Sequence, residues 1–351
     1  MHLYSKMTKS VTIGSLKIGG GAPISVQSMT NVATSNKNAL FNQLLVLKEA
    51  GADFVRATVN DRAAVEGFAY VCAKRLLPLV ADIHFDYRLA IQAVKAGASK
   101  IRINPGNIGS DKGVSEVCAA CKDAGIPIRI GVNKGSLATD IIEKYGVSPT
   151  ALVESALSEA ARLEKYGFSD IVLSVKASDV KQTIEAYKML STRCQYPLHL
   201  GVTEAGGGSL ALVKSAIGIG ALLAQGIGDT IRVSLSDDPI KEVQAGVDIL
   251  RSLKLRNDYV EVISCPTCGR TEYDVIGISE RLREATKDIK KHITIAVMGC
   301  VVNGLGEGRD ADIGIAGGRE KSILMVKGER VGVIENDKVE NALMDLLKNQ
   351  L

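Results

Sequence analysis

One pattern limits this chain to few folds: a helical stretch, then a glycine, then a short apolar run, over and over. The runs are ISVQSMT from Ile24, DFVRATV from Asp53, PLVADIH from Pro78 and KIRINPG from Lys100. PIRIGVN from Pro127, DIVLSVK from Asp170, PLHLGVT from Pro197 and TIRVSLS from Thr230 complete the series. Near-continuous apolar runs of this length suit parallel strands buried on both faces. Between them, stretches such as NALFNQLLVLKEAG, YRLAIQAVKAG and PTALVESALSEAARLEKYG place apolar residues at three- and four-residue steps, the helical period. Gly51, Gly97, Gly125, Gly167 and Gly228 each stand between a helix and the next strand. Glycine there closes a helix in the left-handed conformation. Eight strands, each followed by a helix, is the count that closes a (β/α)8 TIM-type barrel. An open doubly wound sheet is the competing architecture. It needs a G-x-G-x-x-G turn after its first strand, and Gly206-Gly207-Gly208 comes only after the seventh.

The pattern stops after the eighth run. The sequence predicts a barrel over 1–255 and a smaller α+β domain over 256–351. In the second domain we expect a strand near Val260, a helix near Ile278–Lys290 and a strand ITIAVMG from Ile293. Short strands ADIGIAG and SILMVKG and a terminal helix follow. Aromatic residues are 4% with no Trp, which argues against a surface that stacks bases. A net charge of +4 is too mild to indicate a nucleic-acid binder. The N-terminus shows no signal-peptide pattern. The apolar stretch from Leu210 is broken by Lys214 and reads as a buried helix rather than a membrane span. Seven cysteines without framework spacing point to a reduced, cytoplasmic protein with metal-binding thiols.

Catalytic groups of such barrels sit where strands run into the following loops. Those ends carry Ser28-Met29-Thr30-Asn31, Arg56, Asp82 with His84, and Arg102 with Asn104 before Pro105-Gly106-Asn107. Next come Arg129 and Asn133, Lys176, Thr203-Glu204, and Arg232 with Ser234 and Ser236. Residues two apart on a strand share a face, so Arg102 and Asn104 can both face the axis, as can Arg232, Ser234 and Ser236. Cations converging on one mouth repel one another, and a polyanion relieves that cost. Guanidinium groups bind phosphate bidentately, with Lys as a point charge. A diphosphate-sized ligand is the expectation. The alternative is that each Arg pairs with a rim carboxylate, of which the strand ends offer Asp82 and Glu204. Glu204 is either an acid–base group or such a partner. His84 is either a ligand contact or a hydrogen-bonded structural histidine.

Cys265-Pro-Thr-Cys268 follows a predicted strand, and Cys300 precedes Val301-Val302-Asn303-Gly304-Leu305-Gly306-Glu307-Gly308, read as a loop. Three thiols and the nearby Glu307 make a four-ligand set, and thiolates favour zinc, Cu(I) or iron–sulfur centres. Zinc is the rival, although a structural zinc usually recruits a second Cys/His pair. Three cysteines leave one iron of a [4Fe–4S] cube without a thiolate, which suits substrate chemistry better than pure electron transfer. A zinc-stapled phosphate-binding barrel without redox activity therefore stays open beside the iron–sulfur reading. Cys118-Ala-Ala-Cys121 lies in a helical pattern and, with Cys72 and Cys194, reads as structural.

Together these strings resemble the bacterial two-domain 4-hydroxy-3-methylbut-2-enyl diphosphate synthase family of the methylerythritol phosphate pathway. The resemblance spans nearly the whole chain. It is carried by SVQSMTN, LVADIHFDYRLA, RINPGNIG, RIGVNKGSL, HLGVTEAGGG, IGIGALLAQGIGDTIRVSLSDDP, SCPTCGRTE and MGCVVNGLGE. It implies two-electron reductive ring opening and dehydration of 2-C-methyl-D-erythritol 2,4-cyclodiphosphate. It implies a [4Fe–4S] cluster on Cys265, Cys268, Cys300 and Glu307, Glu307 being the labile ligand. Diphosphate binding falls to Arg56, Arg102, Arg129, Asn133, Lys176, Arg232, Ser234 and Ser236, with Asp82, His84 and Thr203 in the same mouth. Glu204 matches the proton-handling carboxylate. Reduced flavodoxin or ferredoxin is the implied electron donor. A homodimer is implied too, the cluster domain of one chain capping the barrel of the other. One position departs: the family loop reads N-G-P-G-E, and here Leu305 replaces the proline, which frees a backbone that proline would fix.

Overall fold

The computed structural model describes residues 7–104, 108 and 110–349; Pro105, Gly106 and Asn107 lie outside them. The chain divides into two compact units, Met1–Leu255 and Arg256–Leu351. The first opens with β1 (Val11–Ile13) and β2 (Leu16–Ile18). It continues β3 (Ser25–Met29), α1 (Lys37–Glu49), β4 (Phe54–Thr58), α2 (Arg62–Ala73), β5 (Leu79–Asp82) and α3 (Tyr87–Lys95). Then come β6 (Lys100–Ile103), α4 (Asp111–Asp123), β7 (Ile128–Asn133), α5 (Thr139–Tyr145), α6 (Pro149–Glu164) and β8 (Ile171–Lys176). It ends with α7 (Val180–Arg193), β9 (His199–Leu200), α8 (Gly208–Leu223), β10 (Thr230–Ile231) and α9 (Pro239–Ser252).

Strands β3 to β10 form one parallel sheet in the order β8-β7-β6-β5-β4-β3-β10-β9. A parallel bridge between Leu173 and Leu198 joins its two ends, with the Leu173 N–H donating to Pro197 O at 2.9 Å. The barrel is thereby closed. Local chemistry explains the alternation. Asn36, Asp61, Asp86, Ser110, Ser148, Asp179 and Asp238 accept N–H bonds at helix starts, satisfying donors that have no helical partner. All five predicted closing glycines have positive φ, from 64° at Gly125 to 119° at Gly228.

Three expectations change. The β1–β2 hairpin was not foreseen. Val11, Ile13 and Ile18 pack against Phe54, Val80 and Val172, which lie at the starts of their strands. The hairpin therefore floors the amino-terminal end of the barrel. Second, β9 and β10 are only two residues long, so Ser234 and Ser236 sit on a loop rather than on a strand. Third, α8 is not buried all round: Leu210, Leu212, Val213 and Ile217 are exposed. Among the described residues no helix is long and apolar enough to cross a membrane.

The second unit holds β11 (Val260–Ser264), α10 (Val275–Thr286), β12 (Ile293–Met298), α11 (Val301–Glu307), β13 (Ile313–Ala316), β14 (Lys321–Val326), β15 (Glu329–Glu335) and α12 (Val339–Lys348). The sheet order is β11-β12-β13-β14-β15, parallel through β13 and antiparallel after it. Its core joins Leu282 of α10 and Leu343 of α12 to Ile295 and Ile313. β15 does not stand out in the sequence because it is polar at both ends and largely exposed. The segment after Cys300, read as a loop, is the helix α11. Leu305 lies inside it, where a proline would remove a helical N–H.

Candidate active site

Strand register builds the mouth of the barrel. Asp82 lies opposite Arg102, Arg102 opposite Arg129, Met29 opposite Arg56, and Asn133 opposite Lys176. Asp82, 2% exposed, is the hub. Arg102 Nη1 donates to its Oδ1 at 3.0 Å, Arg56 Nε lies 3.5 Å from Oδ2, and His84 Nε2 lies 3.9 Å from Oδ2 at the more open rim. Burial alone would raise this carboxyl, but Arg56, Arg102, His84 and Arg129 outweigh it and hold it at about 2. Burial and neighbouring cations bring Arg56 down to about 10, against the pull of Asp82. Burial first, then Arg56 and Arg102, hold Arg129 well below the usual guanidinium range; burial first, then Arg129 and Arg232, hold Lys176 well below the usual ammonium range.

Glycine makes room for two of these groups. A Cβ on Gly131 would stand 2.8 Å from Arg102 Nε, and one on Gly201 would stand 2.5 Å from Lys176 Nζ. Arg102 Nη2 also donates to Gly131 O at 3.3 Å.

Sequence reasoning missed two buried charged groups. Glu242, in the first turn of α9, accepts from Arg232 Nη2 at 3.1 and 3.0 Å and from the Leu235 N–H at 2.8 Å. The expectation that Asp82 and Glu204 are the acids near the cations is thus corrected: the second carboxylate comes from a helix. Its signal was legible, since Glu242 falls on the stripe shared by Pro239, Gly246 and Ile249 of an otherwise apolar face. Lys100 is the other. It is wholly buried, its Nζ has no hydrogen-bond partner and stands 4.4 Å from the Phe54 ring centre. Two residues before Arg102, it shares that side chain's inward face.

The remaining predicted residues gather at the same end. Asn133 closes β7 and Lys176 closes β8. Ser234 Oγ accepts from Arg232 Nη1 at 2.6 Å. The Ser236 N–H donates to Gly206 O at 2.9 Å, tying its loop to the one after β9. In that loop the Thr203 N–H donates to Ala177 O at 3.2 Å. Glu204 is exposed and has φ +52°. A non-glycine residue in this left-handed region is strained, and such strain gathers at functional sites. Glu204 forms no ion pair with the Arg set among the described residues. Arg129 and Lys176 also have no ion-pair partner there, and Arg129 Nε and Nη2 are buried without a hydrogen bond. The mouth holds more cations than carboxylates.

The second unit carries its own site. Cys265, Cys268, Cys300 and Glu307 all line one cavity of about 370 Å³. Thr267 takes φ +58°, folding the Cys-Pro-Thr-Cys segment into a tight turn. The Gly299 N–H points at Cys265 Sγ at 3.3 Å, and the Cys268 N–H donates to Thr271 Oγ1 at 3.0 Å. Arg270 hydrogen-bonds Cys300 and feels the charge of Cys268, which raises its guanidinium. Gly304 lets α11 lie close to the sheet, since a Cβ there would meet those of Ala316 and Met298 at 2.8 and 2.9 Å. Glu307 ends that helix. Among the described residues these side chains are not drawn into a closed metal-ligand group. The donor set fits an iron–sulfur centre in its chemistry: three thiols in no disulfide, one carboxylate, and N–H and guanidinium donors aimed at sulfur. Cys118 and Cys121 are buried in α4. Burial pushes the Cys118 thiol up to about 11 and that of Cys72 to about 12, as expected of inert thiols.

Fold and site define a class: a TIM-type barrel with a cation-rich mouth, in a chain that also carries a smaller thiol-bearing domain. Two family models match the chain, the GcpE TIM-barrel domain over residues 8–247 and the GcpE protein C-terminal domain over 261–349. The chain belongs to the GcpE family. It is 53% identical to the 4-hydroxy-3-methylbut-2-en-1-yl diphosphate synthase (flavodoxin) of Caldanaerobacter subterraneus subsp. tengcongensis, over 98% of this chain and 96% of that one. It is 51% identical to the synthase of the same name from Clostridium tetani, over 98% and 99%. Among solved structures, the dihydropteroate synthase of Yersinia pestis aligns with a TM-score of 0.50 at 14% identity, over 70% of this chain and 98% of that one. That likeness is one of fold alone.

Proposed function

We propose that this chain makes 4-hydroxy-3-methylbut-2-enyl diphosphate by two-electron reductive ring opening and dehydration of 2-C-methyl-D-erythritol 2,4-cyclodiphosphate. The observation that carries the reading is the unbalanced charge of the barrel mouth. Arg56, Arg102, Arg129, Lys176 and Arg232 converge there against Asp82 and Glu242. A diphosphate supplies the missing negative charge and accepts the unmet donors of Arg129. Asn133, Ser234 and Ser236 add polar contacts at the same rim, with Thr203 and His84. Bound this way, the diphosphate is stabilised as the ring C–O bond breaks and charge grows on its oxygen. Glu204, exposed at the rim, is the carboxylate in reach of solvent protons and is assigned the proton transfer.

Cys265, Cys268, Cys300 and Glu307 would hold a [4Fe–4S] cluster, which supplies electrons singly when bound. Reduced flavodoxin, the donor in the relatives' name, or ferredoxin would deliver them. We assign the chain to the cytoplasm, where thiols stay reduced. The exposed apolar face of α8 supports self-association, and we assign a homodimer in which the cluster domain of one chain caps the barrel of its partner.

The test is iron and acid-labile sulfide content of anaerobically purified protein, followed by turnover of the cyclic diphosphate with a chemical reductant. About four iron and four sulfide per chain, with release of the open-chain diphosphate, is the expected result. Stoichiometric zinc without sulfide, persisting after reconstitution with iron and sulfide, would overturn it.

A further inference from the structure

Arg232 is held differently from the other cations in the barrel. Arg56 and Arg102 share Asp82, a carboxylate at a strand end. Arg232 has a carboxylate of its own, delivered by a helix. Glu242 is 4% exposed and spends both oxygens on Arg232 Nη2, at 3.1 and 3.0 Å. Its Oε1 also takes the backbone N–H of Leu235 at 2.8 Å. Ser234 takes Arg232 Nη1 at 2.6 Å, and Arg232 Nε stays buried without a partner. One carboxylate thus fixes both a guanidinium and the loop on which Ser234 and Ser236 lie.

We propose that Glu242 is a positioning residue that shares the charge of Arg232 with the bound diphosphate, weakening the grip on product enough for release. The inference rests on the diphosphate reading of the barrel mouth. Its physical basis is competition. A guanidinium already neutralised by a buried carboxylate attracts a second anion less than a free one does. The other role open to a buried carboxylate, that of a structural tie for the loop, predicts the opposite sign. Loss of a tie loosens Ser234 and Arg232 and weakens binding. Loss of a competing charge strengthens it.

Glu242→Gln separates the two, because the amide oxygen still accepts from the Leu235 N–H while the negative charge is gone. Binding of inorganic diphosphate is measured by calorimetry on the full, cluster-loaded chain, with steady-state turnover alongside. The expected result is diphosphate binding tighter by about tenfold, with KM and kcat both lowered. Glu242→Asp, which withdraws the carboxylate by one methylene, should give the same sign at about a third of the size, and carries the test if the Gln variant does not fold. Unchanged or weaker diphosphate binding by whichever folded variant is measured would overturn the inference. Failure of the unmodified protein to bind inorganic diphosphate would overturn the reading of the mouth beneath it, an outcome distinct from the other.

Discussion

The two sites of this chain are built in opposite ways. In the barrel, charged groups are deeply buried and fixed by packing. Asp82 is 2% exposed, Arg129 2% and Lys176 7%, and each sits on a strand whose register sets its height. In the second unit the sulfur donors hang from a tight turn and from the start of a seven-residue helix, and Cys268 is exposed. The barrel can hold its donors in place by folding alone. At the thiol site Cys265 and Cys300 are only half-buried and Cys268 is exposed, so a metal centre bound there would supply much of the donors' order. Preorganisation is a property of one site; coupling of binding to local folding is expected of the other.

The comparison can be broken most severely at a thiol. Cys300→Ser should abolish turnover by a factor of at least about 1000 and reduce iron content to near zero. Binding of inorganic diphosphate should stay within about twofold, because the charged groups named in the mouth all lie within Met1–Leu255. Parallel loss of both would show that the sites are not independent. Arg129→Gln is the reverse experiment. Removing a buried cation with unmet donors should weaken diphosphate binding by about fiftyfold and leave iron and sulfide unchanged.

The smallest effect sharpens the contrast through pH. Asp82 has its folded carboxyl at about 2, below the ordinary 3.8. Its contribution, about 2 kcal/mol, is therefore complete above about pH 4 and is lost as pH falls toward 2. Urea unfolding of the barrel unit's signal from pH 7 to pH 2 should show that loss. Asp82→Asn should flatten it, at the cost of lower stability near neutrality. An unchanged acid limb in Asp82→Asn would remove Asp82 from its place as the electrostatic hub.

Much of this was legible in the sequence because the barrel is regular. Parallel strands buried on both faces give continuous apolar runs, and a polar residue within such a run can only face the axis or the following loop. Arg56, Asp82 and Arg102 were found that way, and the structure brings them together. Glu242 was not legible that way because it lies at no strand end: its carboxylate comes from the first turn of α9. Lys100 escaped because it opens its strand, at the end away from the mouth. The β1–β2 hairpin escaped because three-residue strands carry too few alternations to stand out. The α11 helix escaped because Gly304 and Gly306 lower its helical propensity; contact with Met298 and Ala316 outweighs that penalty. The loop from Arg232 to Ser236 reads as strand in its apolar content, yet the ladder stops at Ile231, where Glu242 takes over the Leu235 N–H.

The hairpin floor has an electrostatic consequence. Val11, Ile13 and Ile18 seal the lower end with hydrocarbon, so mobile ions cannot reach Lys100 and Arg129 from below. Field lines from the buried cations must then leave through the open end, since a low-dielectric wall concentrates rather than absorbs them. The potential becomes one-sided, strongest along the axis above Asp82, and dissolved salt can screen it only from that direction. A hairpin of two three-residue strands, at the far end of the barrel from the mouth, thus gives the potential its direction.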